Sequence, residues 1–148
     1  MTDLWLAIGH HILVFGLAIM LGIEFAILRP GMGPADIRRI AGVDIGYGAT
    51  AGLIVIVGSC RVIFGAKGYL YYFDNMWFWA KMASFAAIGL LSVPPTLLFR
   101  VWVGRLKTDA NYLPPAQEVG DMQFYLRLEL LFLIAVVAFA ATMARYAG

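Results

Sequence analysis

The sequence predicts an all-α integral membrane protein: one bundle of four transmembrane helices, with both termini on the outer side. Three observations carry that prediction. Of the 148 residues, 62% are hydrophobic and 14% charged, against about a quarter charged in a soluble domain of this size. Four stretches each supply the roughly 20 apolar residues that a helix needs to cross a bilayer. Basic residues gather in alternate connections, which is the charge asymmetry that orients a membrane chain.

The spans cover about residues 4–28, 43–64, 77–99 and 124–144, within a single domain of 1–148. The first lacks the basic start and small-residue cleavage site of a secretory signal, so it is expected to persist in the mature chain. Pro30 stops it, and Pro34 suits the first turn of a new helix, with Asp36 near the positive end of that helix. A short amphipathic lead-in to the second span is therefore expected at Pro34–Arg39. Gly48 and Gly52 in that span have a spacing that permits close helix contact, within the chain or at a dimer face. Pro94 and Pro95 should kink or end the third span, because proline removes a backbone donor and crowds the preceding turn. The segment Asn111–Pro115 breaks the chain before the fourth.

Arg29, Arg38 and Arg39 occupy the first connection, and Arg100, Arg105 and Lys107 the third, with Arg127 just inside the fourth span. The second connection has only Lys67. Positive connections stay in the cytoplasm, so the first and third should lie inside. The second, Tyr69–Trp79, is dense in aromatics and reads first as an interfacial anchor and second as an aromatic ligand box.

Depth, at about 1.5 Å per helical residue, sorts the polar residues into two layers. His10, His11, Arg61 and Lys81 form the outer one. Glu24, Asp44, Arg100, Arg127 and Glu129 form the inner one. The inner set is nearly matched in charge and can neutralise itself by pairing Glu24 or Glu129 with Arg100 or Arg127. The outer set has two cations, two histidines and no acid at its depth; Asp3 and Asp74 lie nearer the water. An ionisable residue within a span costs about 2.5–3.5 kcal/mol on insertion scales. Arg61 and Lys81 can escape that cost by reaching up to the headgroups, or by meeting an anionic ligand.

Adjacent helical residues point about 100° apart, so only one of His10 and His11 can face the bundle. Histidine is a common axial ligand of haem, and a bundle interior is an ordinary site for one. A haem b or porphyrin held by His10 or His11, with its carboxylates on Arg61 and Lys81, would account for the cation excess.

Several local patterns are shared with known chains. Arg29-Pro30-Gly31 after Glu24, the stretch Phe64 to Gly68, Phe78-Trp79-Ala80-Lys81 and Pro94-Pro95-Thr96 resemble a family of small bacterial inner-membrane proteins of unknown function. More distantly, His10 or His11, Leu28-Arg29, Trp77 to Lys81, and Arg127-Leu128-Glu129 resemble the HemJ-type protoporphyrinogen oxidases. That likeness implies a four-helix membrane fold in the bacterial inner membrane, haem b binding and redox chemistry on a porphyrinogen. In this chain Arg127 and Glu129 are only two residues apart, and the asparagine and proline that the family has near the glutamate are Leu128 and Leu131 or have no clear counterpart.

Two function classes follow. One is a haem- or porphyrin-binding redox protein of the membrane. The other is a non-redox structural subunit or small carrier, partnered by lipid, by further copies of itself or by a larger complex. The apolar stretches Leu13–Leu21 and Ile88–Leu91 argue against a water-filled channel. The lone Cys60 forms no internal disulfide, no cysteine–histidine cluster suits zinc, and scattered basic residues give no nucleic-acid footprint.

Overall fold

The computed structural model describes residues 2–65 and 68–145, with side chains from Leu4 onward; Lys67 and the side chain of Asp3 lie outside them. The described residues form helices α1 (Thr2–Ile27), α2 (Pro34–Phe64), α3 (Gly68–Phe73), α4 (Met76–Leu91), α5 (Val93–Thr108) and α6 (Ala116–Arg145), with no strand among them. Four helical segments are long and apolar enough to cross a membrane: Leu4–Ile27, Pro34–Phe64, Met76–Thr108 and Ala116–Arg145. Their outward faces carry large apolar side chains such as Trp5, Phe15, Ile19, Ile56 and Leu131, the expected dress of a surface that meets lipid.

Each boundary that differs from the sequence expectation has a local cause. The lead-in at Pro34 is continuous with the second span as one helix of 31 residues. Gly33 caps it, its amide donating to Asp36 Oδ2 at 3.4 Å, and Pro34 opens its first turn. Nothing between Arg39 and Val43 breaks it. In α1–α2 packing, a methyl on Gly46 would lie only 3.5 Å from Met20, so this glycine sits where α1 comes close. Gly48 and Gly52 instead face outward, with nothing nearby, and make no helix contact within the chain.

Just before Pro94 and Pro95 the third span divides into α4 and α5 at Ser92, but it does not end there. Ser92, at φ −74° and ψ −16°, keeps the chain helical across the join, and its amide donates to the Ile88 carbonyl at 2.9 Å. The prolines thus fall at the start of α5, where their missing donors cost little, and the span runs on to Thr108. The fourth helix starts at Ala116, eight residues before its apolar stretch at Phe124. Glu118 anchors this extension, accepting from Trp102 Nε1 at 2.7 Å and pairing with Arg105 at 3.7 Å.

The helices associate as two hairpins. α1 packs on α2, and α4 on α6, while α5 crosses over to α2. The end holding the α1–α2 and α5–α6 connections is the dense one. There Leu28, Met32, Ile37, Ile40, Phe99, Trp102 and Val119 are wholly enclosed, and Gln123 Nε2 donates to the Leu28 carbonyl at 2.8 Å, tying α6 to the end of α1. At the other end the short α3 contacts α2 and α4, one helix of each hairpin.

Candidate functional site

The gap between the hairpins at the termini end is a cavity of about 160 Å³. Its lower wall is apolar: Val14 and Leu17 from α1, Ile54 from α2, Phe85 from α4, Leu133 and Val136 from α6. Towards the termini it turns cationic. His10 from α1, Arg61 from α2 and Lys81 from α4 all line it. Among the described side chains no acid lines it, and neither Arg61 nor Lys81 forms an ion pair there. Lys81 Nζ lies 5.1 Å from the centre of the Phe78 ring, a cation–π contact of modest strength.

Two of the three groups hold buried nitrogens without a hydrogen-bond partner, Nδ1 of His10 and Nε of Arg61. Buried polar atoms are ordinarily satisfied, so both nitrogens stand out in this wall. His10 rests against the α2 backbone: a methyl on Gly58 would lie 3.4 Å from its Cε1 and 3.8 Å from its Nδ1. His11 is exposed, donating from Nδ1 to the Ala7 carbonyl at 2.6 Å. Of the adjacent pair, only His10 lines the cavity.

The aromatic connection divides its residues between two tasks. Tyr69, Phe73 and Trp79 are exposed, as an interfacial anchor requires, and Trp79 Nε1 donates to the Phe73 carbonyl at 3.0 Å. Tyr72 and Phe78 turn inward and line the cavity, their rings 5.7 Å apart. Asn75 fixes the turn between them by capping α4, its side-chain oxygen accepting from the Trp77 amide at 2.9 Å.

The second polar layer lies some 14 residues further along α1, about 21 Å by helix rise, and Leu17 and Leu21 fill the space between. It is a layer of acids. Glu24, Asp44 and Glu129 are all buried, with 2%, 6% and 1% of their surfaces exposed. Tyr47 donates its hydroxyl to Glu129 Oε2 at 2.8 Å, and Thr96 donates to Asp44 Oδ1 at 2.7 Å. Oε1 of Glu24 is buried without a partner.

The charge pairing expected in this layer is absent. Arg100 and Arg127 both lie on exposed faces, and no ion pair joins either to Glu24, Asp44 or Glu129. The reason is helical phase. Arg127 is two positions before the inward-facing Glu129, about 200° around the helix, so the two cannot face the same way. The ion pairs among the described residues lie at the bundle end, Arg29 with Asp36 at 3.8 Å and Arg105 with Glu118. Among the described residues, no group of three or more His, Cys, Asp or Glu side chains is disposed to hold a metal ion.

A family model described as "Predicted membrane protein (DUF2214)" matches residues 2–148. The chain belongs to the DUF2214 family. Comparison with curated proteins and with solved structures finds no match. Family membership makes this DUF2214 chain a membrane protein, in agreement with its four candidate spans.

Five contributors to the two layers in this DUF2214 protein escape a reading by charge and depth alone. Tyr47 and Thr96 supply hydroxyls to the acids, Gly58 makes room for His10, and Tyr72 and Phe78 wall the cavity. For Tyr47 a signal does exist: it lies three residues after Asp44, on the same helix face.

Proposed function

We propose that this chain binds an amphipathic anion inside the membrane, head group on His10, Arg61 and Lys81 and apolar body on the wall below. The observation that carries this reading is the convergence of those three side chains, from three helices, on one cavity that no acid lines among the described residues. Snorkelling would relieve Arg61 and Lys81 individually, but it leaves the buried Nε of Arg61 and Nδ1 of His10 without partners. With the more basic connections on the cytoplasmic side, the cavity belongs to the outer half of a bacterial inner membrane.

A second reading makes that ligand haem b or a porphyrin, with a redox role. The donor set favours it: His10 offers a free imidazole nitrogen, Met82 and Met143 line the same cavity, and Arg61 and Lys81 suit two carboxylates. Bound there, haem would supply one-electron chemistry. The room fits less well. A cavity of about 150 Å³ accommodates a single benzene ring, whereas a tetrapyrrole is several times larger and would have to extend into the lipid.

Titration of the purified protein in mild detergent tests both. Hexyl phosphate and hexanoate should raise its melting temperature, hexanol and hexylamine should not, and Lys81→Gln should abolish the response. Equal responses to all four would sink the anion reading. A Soret band on adding hemin, lost in His10→Ala and kept in His11→Ala, would decide for haem. A featureless spectrum decides against it.

A further inference from the structure

The cavity is not closed on every side. Most of the residues that line it are buried or half-buried, but Val55, Ser59 and Met82 are exposed. Val55 and Ser59 are one helical turn apart on α2, and so share a face; Met82 stands on α4. These two helices pack chiefly on other partners, α2 on α1 and α5, and α4 on α6. The exposed surface here lies within spans, so what it faces is the bilayer and not water. Above it, Tyr72 of α3 and Phe78 lie on the side towards the termini.

We propose that the cavity is loaded sideways from the bilayer, through the gap between α2 and α4, and that its ligand is a single-chain lipid with one anionic head, a carboxylate or a phosphate. This rests on the reading of the cavity as an anion site. Three features select the class. The cations meet only at one end, so one head is bound. The cavity, about 160 Å³, holds a head and the first part of a chain, so the remainder must leave by the open side. That side is bordered by Val55 and Met82, apolar side chains that a hydrocarbon tail can cross without cost, while Ser59 is the one polar group on it.

The test uses the full chain in phosphatidylcholine vesicles with a diazirine-bearing palmitate, and a lysophosphatidate of the same chain in parallel. Labelled peptides are located by mass spectrometry. Labelling should map to α2 near Val55 and to α4 near Met82. Arg61→Gln with Lys81→Gln should reduce it about a hundredfold, the loss of two charge contacts worth about tenfold each. Val55→Trp, which fills the gap and leaves the cations in place, should reduce it as well. Arg61→Lys, which keeps the charge, should retain labelling and so separates loss of the site from loss of the fold. If palmitate and lysophosphatidate both fail to label, while hexyl phosphate still stabilises the wild type and not Lys81→Gln, access from lipid is wrong and the anion site stands. If neither the lipids nor hexyl phosphate binds, both readings fall. Whichever lipid labels more strongly names the head.

Discussion

The two polar layers of this bundle are opposites in charge and in packing. Among the described residues, the layer near the termini gathers cations without acids around a cavity, and the other gathers buried acids that form no ion pair. Glu24 and Glu129 rank among the most completely enclosed side chains of the described chain, whereas His10, Arg61 and Lys81 are only partly buried. Hydroxyls, not arginines, satisfy Asp44 and Glu129, and Glu24 Oε1 is left without a partner. A charged layer that the protein closes with its own hydrogen bonds is an internal joint between helices. The charged layer that lines a cavity is where the proposed anion would bind.

The largest effect that would sharpen this contrast is Glu129→Ala. It opens a hole in the packed layer and strands the Tyr47 hydroxyl, and should cost about 3 kcal/mol of unfolding free energy in mixed micelles. The same truncation of Lys81 should cost nothing, or stabilise slightly by relieving repulsion with Arg61. Equal losses at the two sites would erase the distinction between joint and binding site. Tyr47→Phe isolates the hydroxyl and should cost about 1–1.5 kcal/mol, leaving anion binding in the distant cavity unchanged. Comparable in energy but opposite in kind is Lys81→Gln, which should weaken hexyl phosphate at least tenfold, about 1.4 kcal/mol or more, so that its stabilising effect is lost at concentrations that act on the wild type, at no loss of stability.

Much of the architecture is legible in the sequence, because lipid imposes it: a backbone in hydrocarbon must satisfy its own hydrogen bonds, so long apolar runs become helices. Depth likewise separates His10, Arg61 and Lys81 from Glu24, Asp44 and Glu129 using nothing but helix rise. What depth cannot give is azimuth. Arg127 and Glu129 share a level and face different ways, so counting charges per layer suggested a neutral network where the fold has three acids and two hydroxyls. The rule that separated His10 from His11 by about 100° also separates Arg127 from Glu129, but a charge tally does not apply it. The cavity itself is a property of how two hairpins pack, and α3, which contacts one helix of each, carries no apolar period long enough to announce itself.

Glu24→Gln gives the smallest change, and the one that bears most directly on the acid layer. Its Oε1 is buried and unpartnered, so the carboxyl contributes little hydrogen bonding of its own, and whenever it ionises it adds a like charge beside Asp44 and Glu129. An amide of the same shape removes that charge and brings two donors to a layer whose other members mainly accept. Replacing a poorly compensated buried charge with a neutral group of similar volume is often neutral or favourable. The substitution should therefore raise stability by up to about 1 kcal/mol, roughly one net hydrogen bond, as read from micellar unfolding curves. A loss of more than that would mean that Glu24 meets a cationic partner in the membrane, and the acid layer, like the cationic one, would then have to be counted as a site.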